Sequence, residues 1–273
     1  MNNQSFTAAA ATDIGNRRRN NEDNFYFAGQ ILSAADNVKV IEFDSPGNTQ
    51  NAAYAVFDGM GGESCGELAS EAAACEFAKC MDKVGRIDAP ERAYQYLQKF
   101  YKCAQNTVLK LSKKKRSTMG TTAAIAVIVR EKIIVSNIGD SKIFQYRDGN
   151  LIQLSEDHNM AEIMVRNGAM SREQAQKSLG ADKLTRFIGA PKEDYDFLPF
   201  FGDVIEVQPG DCYLLCSDGL TNELPNDEMA EIIGNDSEPC LDTVRILIKS
   251  ALEHGGKDNI TVILIRVGWS KKH

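Results

Sequence analysis

Four aspartates stand next to apolar runs that are typical of β-strands, and their positions suggest one shared chemical role. They are Asp58, Asp140, Asp218 and Asp258, beside the runs Tyr54–Phe57, Ile133–Gly139, Tyr213–Ser217 and Ile260–Val267. A carboxylate held at the end of a strand projects rigidly into a cleft, and several together repel one another. Hard divalent cations cancel such repulsion, and oxygen-only ligands suit magnesium, manganese or calcium. Asp-Gly after a strand is more often a simple turn, but four aspartates in such positions together favour a metal centre.

The other reactive residue types do not support a competing chemistry. The three histidines, His158, His254 and His273, lack the sequence context of a Ser-His-Asp or Cys-His mechanism. The chain has no Gly-x-Ser-x-Gly elbow and no phosphate loop ending in Gly-Lys-Ser/Thr. Its seven cysteines have no Cys-x-x-Cys spacing, which argues against zinc or redox chemistry. Reduced thiols predict a cytoplasmic protein.

Charge and hydropathy exclude two classes of partner. The chain has 273 residues and a net charge of −7, so we expect neither nucleic acid nor an anionic membrane as the main partner. No run approaches the roughly 18 apolar residues of a membrane span. Residues Met1–Ala11 lack the basic start and long apolar stretch of a signal peptide.

Apolar periodicity predicts antiparallel sheet with helices packed outside it. The runs Thr122–Val129 and Ile133–Ile138 predict a hairpin. Apolar residues at three-and-four spacing predict helices over Glu91–Leu111 and Leu241–Leu252, and the alanine-rich stretch Gly66–Val84 predicts a third. Further strands are predicted at Lys142–Tyr146, Leu151–Leu154, Val204–Val207, Tyr213–Cys216 and Ile260–Val267. The polar segment 159–201 predicts a surface excursion with one or two short helices.

Eight short stretches, in order, resemble the metal-dependent protein phosphatase family, also called protein phosphatase 2C, in its compact bacterial form. The resemblance runs from about Thr12 to Val267. The stretches are Asp13-Ile14-Gly15 with Arg18 and Asn21-Glu22-Asp23, Val56-Phe57-Asp58-Gly59-Met60-Gly61-Gly62, Met119-Gly120-Thr121-Thr122, Asn137-Ile138-Gly139-Asp140-Ser141, Asp157-His158, Leu184-Thr185-Arg186, Leu215-Cys216-Ser217-Asp218-Gly219-Leu220 and Asp258-Asn259-Ile260-Thr261-Val262. Each is weak alone, but eight in order make chance agreement very improbable.

The resemblance implies an α+β fold, a four-layer αββα sandwich of two antiparallel β-sheets flanked by helix pairs. It implies one phosphatase catalytic domain over residues 1–273, with a flap subdomain at about 159–201. The implied activity is hydrolysis of phosphoserine and phosphothreonine on proteins, by direct attack of a metal-activated water and without a covalent enzyme intermediate. The implied partners are phosphoprotein substrates and an opposing bacterial Ser/Thr protein kinase, with the chain acting as a monomer.

The resemblance also implies a set of site residues around two Mg²⁺ or Mn²⁺ ions, with a third ion in bacterial members. Asp58 would bridge both ions, the Gly59 carbonyl would bind one, and Asp218 and Asp258 would hold the other. Glu22 and Asp23 would act largely through bound water, and Asp140 would belong to the third site. Arg18 would bind the substrate phosphate, because its guanidinium matches phosphate with two hydrogen bonds.

Two departures from the family pattern concern the leaving group. Relatives place histidine near this Asp-Gly loop, where the chain has Met60 and Glu63. The sequence therefore predicts another source for the proton that the leaving alkoxide takes up. His158 is predicted to be structural. Arg17 and Arg19 flank Arg18 and, on a strand, would point to the opposite face.

Two alternative functions remain open from the sequence. One is a non-catalytic binding module on the same fold, although such a module is expected to have lost metal ligands. The other is a phosphatase dedicated to a single phosphorylated anti-sigma-factor antagonist.

Overall fold

The computed structural model describes residues 4–33, 40–45, 51–61, 65–180, 182–191, 197–235 and 237–269. In these ranges there are thirteen strands and seven α-helices. The strands are β1 Gln4–Asp13, β2 Asp23–Phe27, β3 Val40–Ser45, β4 Asn51–Gly61, β5 Met119–Thr121, β6 Ala123–Val129, β7 Lys132–Ile138, β8 Lys142–Arg147, β9 Asn150–Gln153, β10 Phe200–Phe201, β11 Ile205–Glu206, β12 Cys212–Cys216 and β13 Ile260–Trp269. The helices are α1 Gly66–Met81, α2 Pro90–Lys115, α3 Met160–Arg166, α4 Arg172–Gln176, α5 Asp218–Thr221, α6 Asn226–Ile233 and α7 Cys240–His254.

The strands form two antiparallel sheets. The first has the order β3-β1-β13-β12-β8-β9. The second has the order β10-β7-β6-β4-β2, and the short strands β11 and β5 pair with β7 and β4. The predicted hairpin is present as β6 and β7, which are paired from Val129 opposite Lys132 to Ala123 opposite Ile138.

Three apolar clusters separate four layers. Helices α1 and α2 pack on the second sheet, where Phe77 makes edge-to-face contacts with Tyr26 and Phe100, with ring centroids 5.1 Å apart in each pair. The two sheets enclose a second cluster between them. Helices α5, α6 and α7 pack on the outer face of the first sheet. The order helix, sheet, sheet, helix confirms the predicted αββα sandwich and its α+β class.

The three predicted main helices are confirmed as α1, α2 and α7. Strand β1, by contrast, is not predicted, because alanine has a low strand propensity. Ala8–Ala11 are each at most 1% exposed between neighbours β3 and β13, with Ala9 and Ala11 beneath α7 and Ala8 and Ala10 facing the second sheet. Small side chains let the helix approach the strand closely, so close packing overrides propensity here. The short helices α5 and α6 are likewise not predicted.

The excursion at 159–201 is present, with α3 and α4 as its short helices. Its described part pairs with itself through Asn159 and Leu184, and it is held to the sheets at two points. Backbone pairing joins Ile188 to Thr121 of β5. Phe200 and Phe201 then pair with β7 as β10. No helix among the described residues combines the length and the apolar character needed to cross a bilayer.

Candidate active site at the common end of the two sheets

Strand alternation brings residues from both sheets to one end of the space between them. In β4, Tyr54 and Val56 face the first sheet, so Asp58 is the next residue on that face. Asp23 is the register partner of Asp58 across β2 and β4. The sequence places Asp58 at or just beyond the end of its strand, whereas β4 continues for three residues to Gly61, because β5 supplies pairing partners for residues 59–61.

Asp23 connects the second sheet to the first. Its Oδ2 atom accepts hydrogen bonds from Ser217 Oγ and Thr261 Oγ1, both at 2.7 Å. Ser217 follows β12 and Thr261 lies in β13, so a buried carboxylate of one sheet is satisfied by hydroxyls of the other. Thr261 Oγ1 also lies 2.8 Å from Thr12 Oγ1 in β1.

The backbone at Asp58 is held by Thr122. The Asp58 N–H donates to Thr122 Oγ1 at 2.9 Å, and the Thr122 N–H donates to the Asp58 carbonyl at 2.9 Å. Ser141 Oγ is 2.6 Å from Thr122 Oγ1. These bonds fix the direction in which the Asp58 carboxylate leaves β4.

Asp218 and Asp258 meet because two loops of the first sheet approach each other closely. Asp218 begins α5, and Asp258 lies two residues before the start of β13. A Cβ atom on Gly219 would lie 2.0 Å from the Asn259 carbonyl oxygen and 3.4 Å from Asp258 Cβ. Only glycine allows this approach. Asn222 Nδ2 donates to Asp218 Oδ2 at 3.0 Å.

Asp140 lies where the excursion meets the sheets. It is 7% exposed, and its Oδ2 accepts from Asn159 Nδ2 at 3.4 Å. A cleft of ≈ 530 Å³ opens beside it, with Asp218 on one side and α3 residues such as Glu162 on the other. Lys142 lines the same cleft and forms a short ion pair with Asp157.

Arg18 lies on a loop that is fastened to the turn before β13. The Asn16 N–H donates to the Gly256 carbonyl at 2.7 Å, and Asn259 Nδ2 donates to the Asn20 carbonyl at 3.1 Å. The half-exposed Arg18 side chain donates from Nη2 to Asp258 Oδ2 at 2.5 Å. Residues 17–19 are outside any strand, so the opposite-face argument for Arg17 and Arg19 does not apply.

Glu22 and Gly59 complete the set on the side of α1. The Glu22 carbonyl accepts from the Gly59 N–H at 3.1 Å and from Ser70 Oγ at 2.7 Å. A Cβ on Gly66, the first residue of α1, would lie 2.7 Å from Glu22 Cδ, so the glutamate side chain lies against the helix. A Cβ on Gly59 would lie 2.2 Å from the Gly66 carbonyl oxygen.

Burial and mutual repulsion dominate the electrostatics of these carboxylates. Burial, together with the charges of neighbouring aspartates, raises the pKa of Asp58 well above its usual range. Burial raises the pKa of Asp23 to about 7, although its two hydroxyl donors oppose the shift. Burial and the charge of Asp218 raise the pKa of Asp140 to about 7. Burial and Asp258 raise the pKa of Asp218, and burial and Glu67 raise the pKa of Glu22.

The donor chemistry of the site fits hard divalent cations. In the ranges that the structure describes, no three His, Cys, Asp or Glu side chains are spaced to bind one ion directly. All the gathered donors are nevertheless oxygens, and their ionised forms repel one another. A divalent cation relieves that repulsion, and bound water can span the remaining distance, as is common for magnesium.

The eight residues singled out from the sequence thus lie together, and several supporting residues were missed. Asn259, Thr261, Ser217 and Thr122 orient the carboxylates through the hydrogen bonds above. All four stand inside the motifs. Ser217, Asn259 and Thr261 lie within three residues of a motif aspartate, so polar neighbours of these aspartates are the signal that identifies them, whereas Thr122 stands in a motif without an aspartate. Met60 lies half-buried in β4, and Glu63 falls outside the described residues.

Comparison with known proteins shows that the chain is similar to phosphatases. The profile of the family "Protein phosphatase 2C" matches residues 9–164. The serine/threonine phosphatase stp of Listeria monocytogenes is 30% identical over 264 residues, which cover 96% of this chain and 96% of that protein. The crystal structure of the Mycobacterium tuberculosis serine/threonine phosphatase PstP/Ppp has a TM-score of 0.79 at 25% identity, covering 96% of this chain and 98% of that one. A structure of the PstP catalytic domain in complex with two manganese ions has a TM-score of 0.75 at 25% identity, with 97% and 99% covered.

Proposed function

Because the chain belongs to the protein phosphatase 2C family, and is therefore a metal-dependent protein-serine/threonine phosphatase, we propose that it hydrolyses phosphoproteins at the common end of its two sheets. The observation that carries this assignment is the meeting of Asp58, Asp218 and Asp258 there, from a strand, a short helix and a turn. All three are partly buried and repel one another, so they require cations, in agreement with the metal dependence of the family.

Each site residue has a proposed role. Asp58 and the Gly59 carbonyl would hold one divalent ion, and Asp58, Asp218 and Asp258 would hold a second. Glu22 and Asp23 would act through bound water, which suits the hydroxyl donors that already occupy Asp23 Oδ2. Asp140, together with Asp218, would hold a third ion.

The residues of the chain perform the remaining tasks. When bound, divalent ions would lower the pKa of a water molecule at the site and offset charge on the phosphoryl oxygens. Thr122 and Asn259 hold the backbones that aim the carboxylates. Arg18 is half-exposed, so it can turn from Asp258 to the substrate phosphate, where its two parallel donors match two phosphoryl oxygens. His158 is 3% exposed and accepts from the Gly139 N–H through Nδ1 at 3.1 Å, which supports a structural role.

The test is hydrolysis of a phosphothreonine peptide with Mn²⁺ or Mg²⁺. We expect chelator to stop phosphate release, and we expect Asp58→Asn and Asp218→Asn to lower kcat by at least about a hundredfold, since each removes a charge that the ions require. Asp227→Asn, at an exposed position on α6, is the matched control and should keep the wild-type rate. Wild-type rates in the Asp58 and Asp218 variants would refute the assignment.

Several finer features belong to the same proposal. The physiological ion is Mg²⁺ or Mn²⁺, residues 1–273 act as one catalytic domain and as a monomer, and the opposing enzyme is a Ser/Thr protein kinase. All seven cysteines are thiols without disulfide bonds, which supports a cytoplasmic location. The segment 159–201 acts as a flap, and its contacts with Asp140 and with the ≈ 530 Å³ cleft support a part in substrate choice.

A further inference from the structure

A basic cleft lies at the C-terminal end of α2, away from the carboxylates. It has a volume of ≈ 620 Å³ and is lined by Lys110, Lys113, Arg116, Ser117 and Thr118, together with Asn106, Leu109, Ser112, Gly189 and Pro191. Five cations, with Lys114 and Lys115 included, occur within residues 110–116. All five are exposed, in a chain whose net charge is −7. This is a local reversal of the charge of the whole molecule.

The cations of the cleft are uncompensated within the described structure. None of Lys110, Lys113 and Arg116 forms an ion pair or a side-chain hydrogen bond with a described residue. Lysines near a helix C-terminus interact favourably with the helix dipole. That effect accounts for charges in the last turn of α2, but it does not account for a cleft with hydroxyls on its wall.

The backbone that shapes the cleft is well ordered by hydrogen bonds. Arg116 ends α2 in the left-handed conformation, with φ of 54°, and the Ser117 N–H donates to the Ser112 carbonyl at 3.2 Å. On the opposite wall, Gln105 fixes the end of the excursion, since its Nε2 donates to the Ala190 carbonyl at 2.8 Å and its Oε1 accepts from the Gly189 N–H at 2.6 Å. The hydrogen-bonded backbone therefore holds the cations around the cleft in defined positions.

A single short strand connects the cleft to the active site. Thr118 lines the cleft, β5 follows it, and the next residue is Thr122, which holds Asp58. Thr118 and Thr122 are four residues apart, which is about 13 Å along an extended strand. An extended peptide covers the same distance with about four residues, and a path over the surface adds one or two more.

We propose that this basic cleft is a docking site for an acidic stretch of the phosphoprotein substrate, located about four to six residues from the phosphorylated side chain. The inference rests on the proposed function of the carboxylate site and adds a rule of substrate choice to it. Charge complementarity selects the occupant. A walled cleft suits one extended chain better than the flat surface of a membrane, and the overall negative charge of the protein opposes an anionic bilayer.

The test compares two phosphothreonine peptides that differ only four to six positions from the phosphate, with Glu in one and Gln in the other. In Lys110→Gln/Lys113→Gln/Arg116→Gln we expect kcat/KM to fall about tenfold for the Glu peptide at low salt, because each exposed ion pair contributes modestly. The Gln peptide and p-nitrophenyl phosphate should keep their wild-type values. The loss should shrink in 1 M salt, where charges are screened. Lys83→Gln/Lys99→Gln/Lys102→Gln, at exposed positions before and on α2, is the matched control.

Equal loss on both peptides, no loss on either, or the same loss in the control variant would overturn the proposal. A second measurement separates it from the proposed function, namely the anisotropy of a fluorescent, unphosphorylated Glu peptide, which requires no turnover. Binding that the cleft variant loses supports the cleft even if no phosphate is released. Phosphate release without such binding would refute the docking site and would leave the proposed phosphatase activity in place. Binding to phosphatidylserine vesicles in preference to the Glu peptide, lost in the cleft variant, would assign the cleft to a membrane and overturn the peptide proposal.

Discussion

Gly219 shows how strongly the site depends on the size of one residue. Its missing side chain lets α5 approach the turn before β13, with only 2.0 Å between the position of a Cβ and the Asn259 carbonyl oxygen. The backbone on both sides carries a proposed metal ligand, Asp218 on one and Asp258 on the other. A methyl group at this position must therefore move one ligand relative to the other.

We accordingly expect Gly219→Ala to lower kcat at least about tenfold, since displacement of catalytic groups by about an ångström has effects of this order. Overpacking should also lower the free energy of unfolding by about 1–3 kcal/mol. Steady-state kinetics and urea unfolding measure the two effects. The matched control is Gly85→Ala, where a Cβ meets no atom within 4 Å. A Gly219→Ala enzyme with wild-type kcat would show that the close approach is not needed for catalysis.

At the scale of elements, His158 joins the excursion to the second sheet. Its N–H donates to the Gly139 carbonyl at 3.0 Å, its Nδ1 accepts from the Gly139 N–H, and its carbonyl accepts from the Thr185 N–H at 2.8 Å. Burial, with Arg186 nearby, lowers the pKa of His158 to about 4. Because Nδ1 accepts, Nε2 carries the proton, and the nearest carboxylate oxygen, Glu156 Oε1, lies 3.5 Å away. The charge of Arg166 also lowers the pKa of His158, whereas the charge of Asp157 raises it.

This arrangement predicts a pH dependence of stability. The unfolded chain protonates the histidine near pH 6.5 and the folded chain near pH 4, so stability is fully present above pH 6.5 and is lost as the pH falls towards 4. The loss amounts to about 3 kcal/mol. Urea unfolding of wild type and His158→Asn between pH 7 and 4 measures it, because Asn can still accept from Gly139. The profile of His254→Asn, at the exposed end of α7, should follow wild type. Parallel profiles for wild type and His158→Asn would contradict a buried neutral imidazole.

Strands and helices could be predicted from the sequence where the pattern of apolar residues alone determined the element. Continuous apolar runs gave β6, β7, β12 and β13, and helical periodicity gave α2 and α7. Prediction failed for β1, where close packing under α7 favours alanine against its propensity, and at the end of β4. In the second case the extension beyond Asp58 exists only because β5 returns from a distant part of the chain, and no local pattern records such a partner.

At the scale of the whole molecule, the site residues could be identified from the sequence, but their arrangement in space could not be predicted. Pairing of β2 with β4 places Asp23 beside Asp58, and only the face-to-face packing of two sheets brings Asp258 to the same end of the sandwich. The family motifs identify such residues without geometry. The supporting hydroxyls of Ser217 and Thr261 follow from that packing as well, because they belong to one sheet and satisfy Asp23 of the other.

This packing also sets the response of the whole fold to cations. The native state gathers buried carboxylates that the unfolded chain separates, so an ion that binds only the native state stabilises it by about 2.7 kcal/mol at a hundred times its Kd. We expect Mn²⁺ to raise Tm by several degrees over chelator at matched ionic strength, measured by scanning calorimetry. In chelator, Asp58→Asn should have a Tm at or above that of wild type, because a buried charge is removed. Mn²⁺ should change the Tm of this variant little. Asp227→Asn should respond as wild type does. A full Mn²⁺ response in Asp58→Asn would place the ions elsewhere.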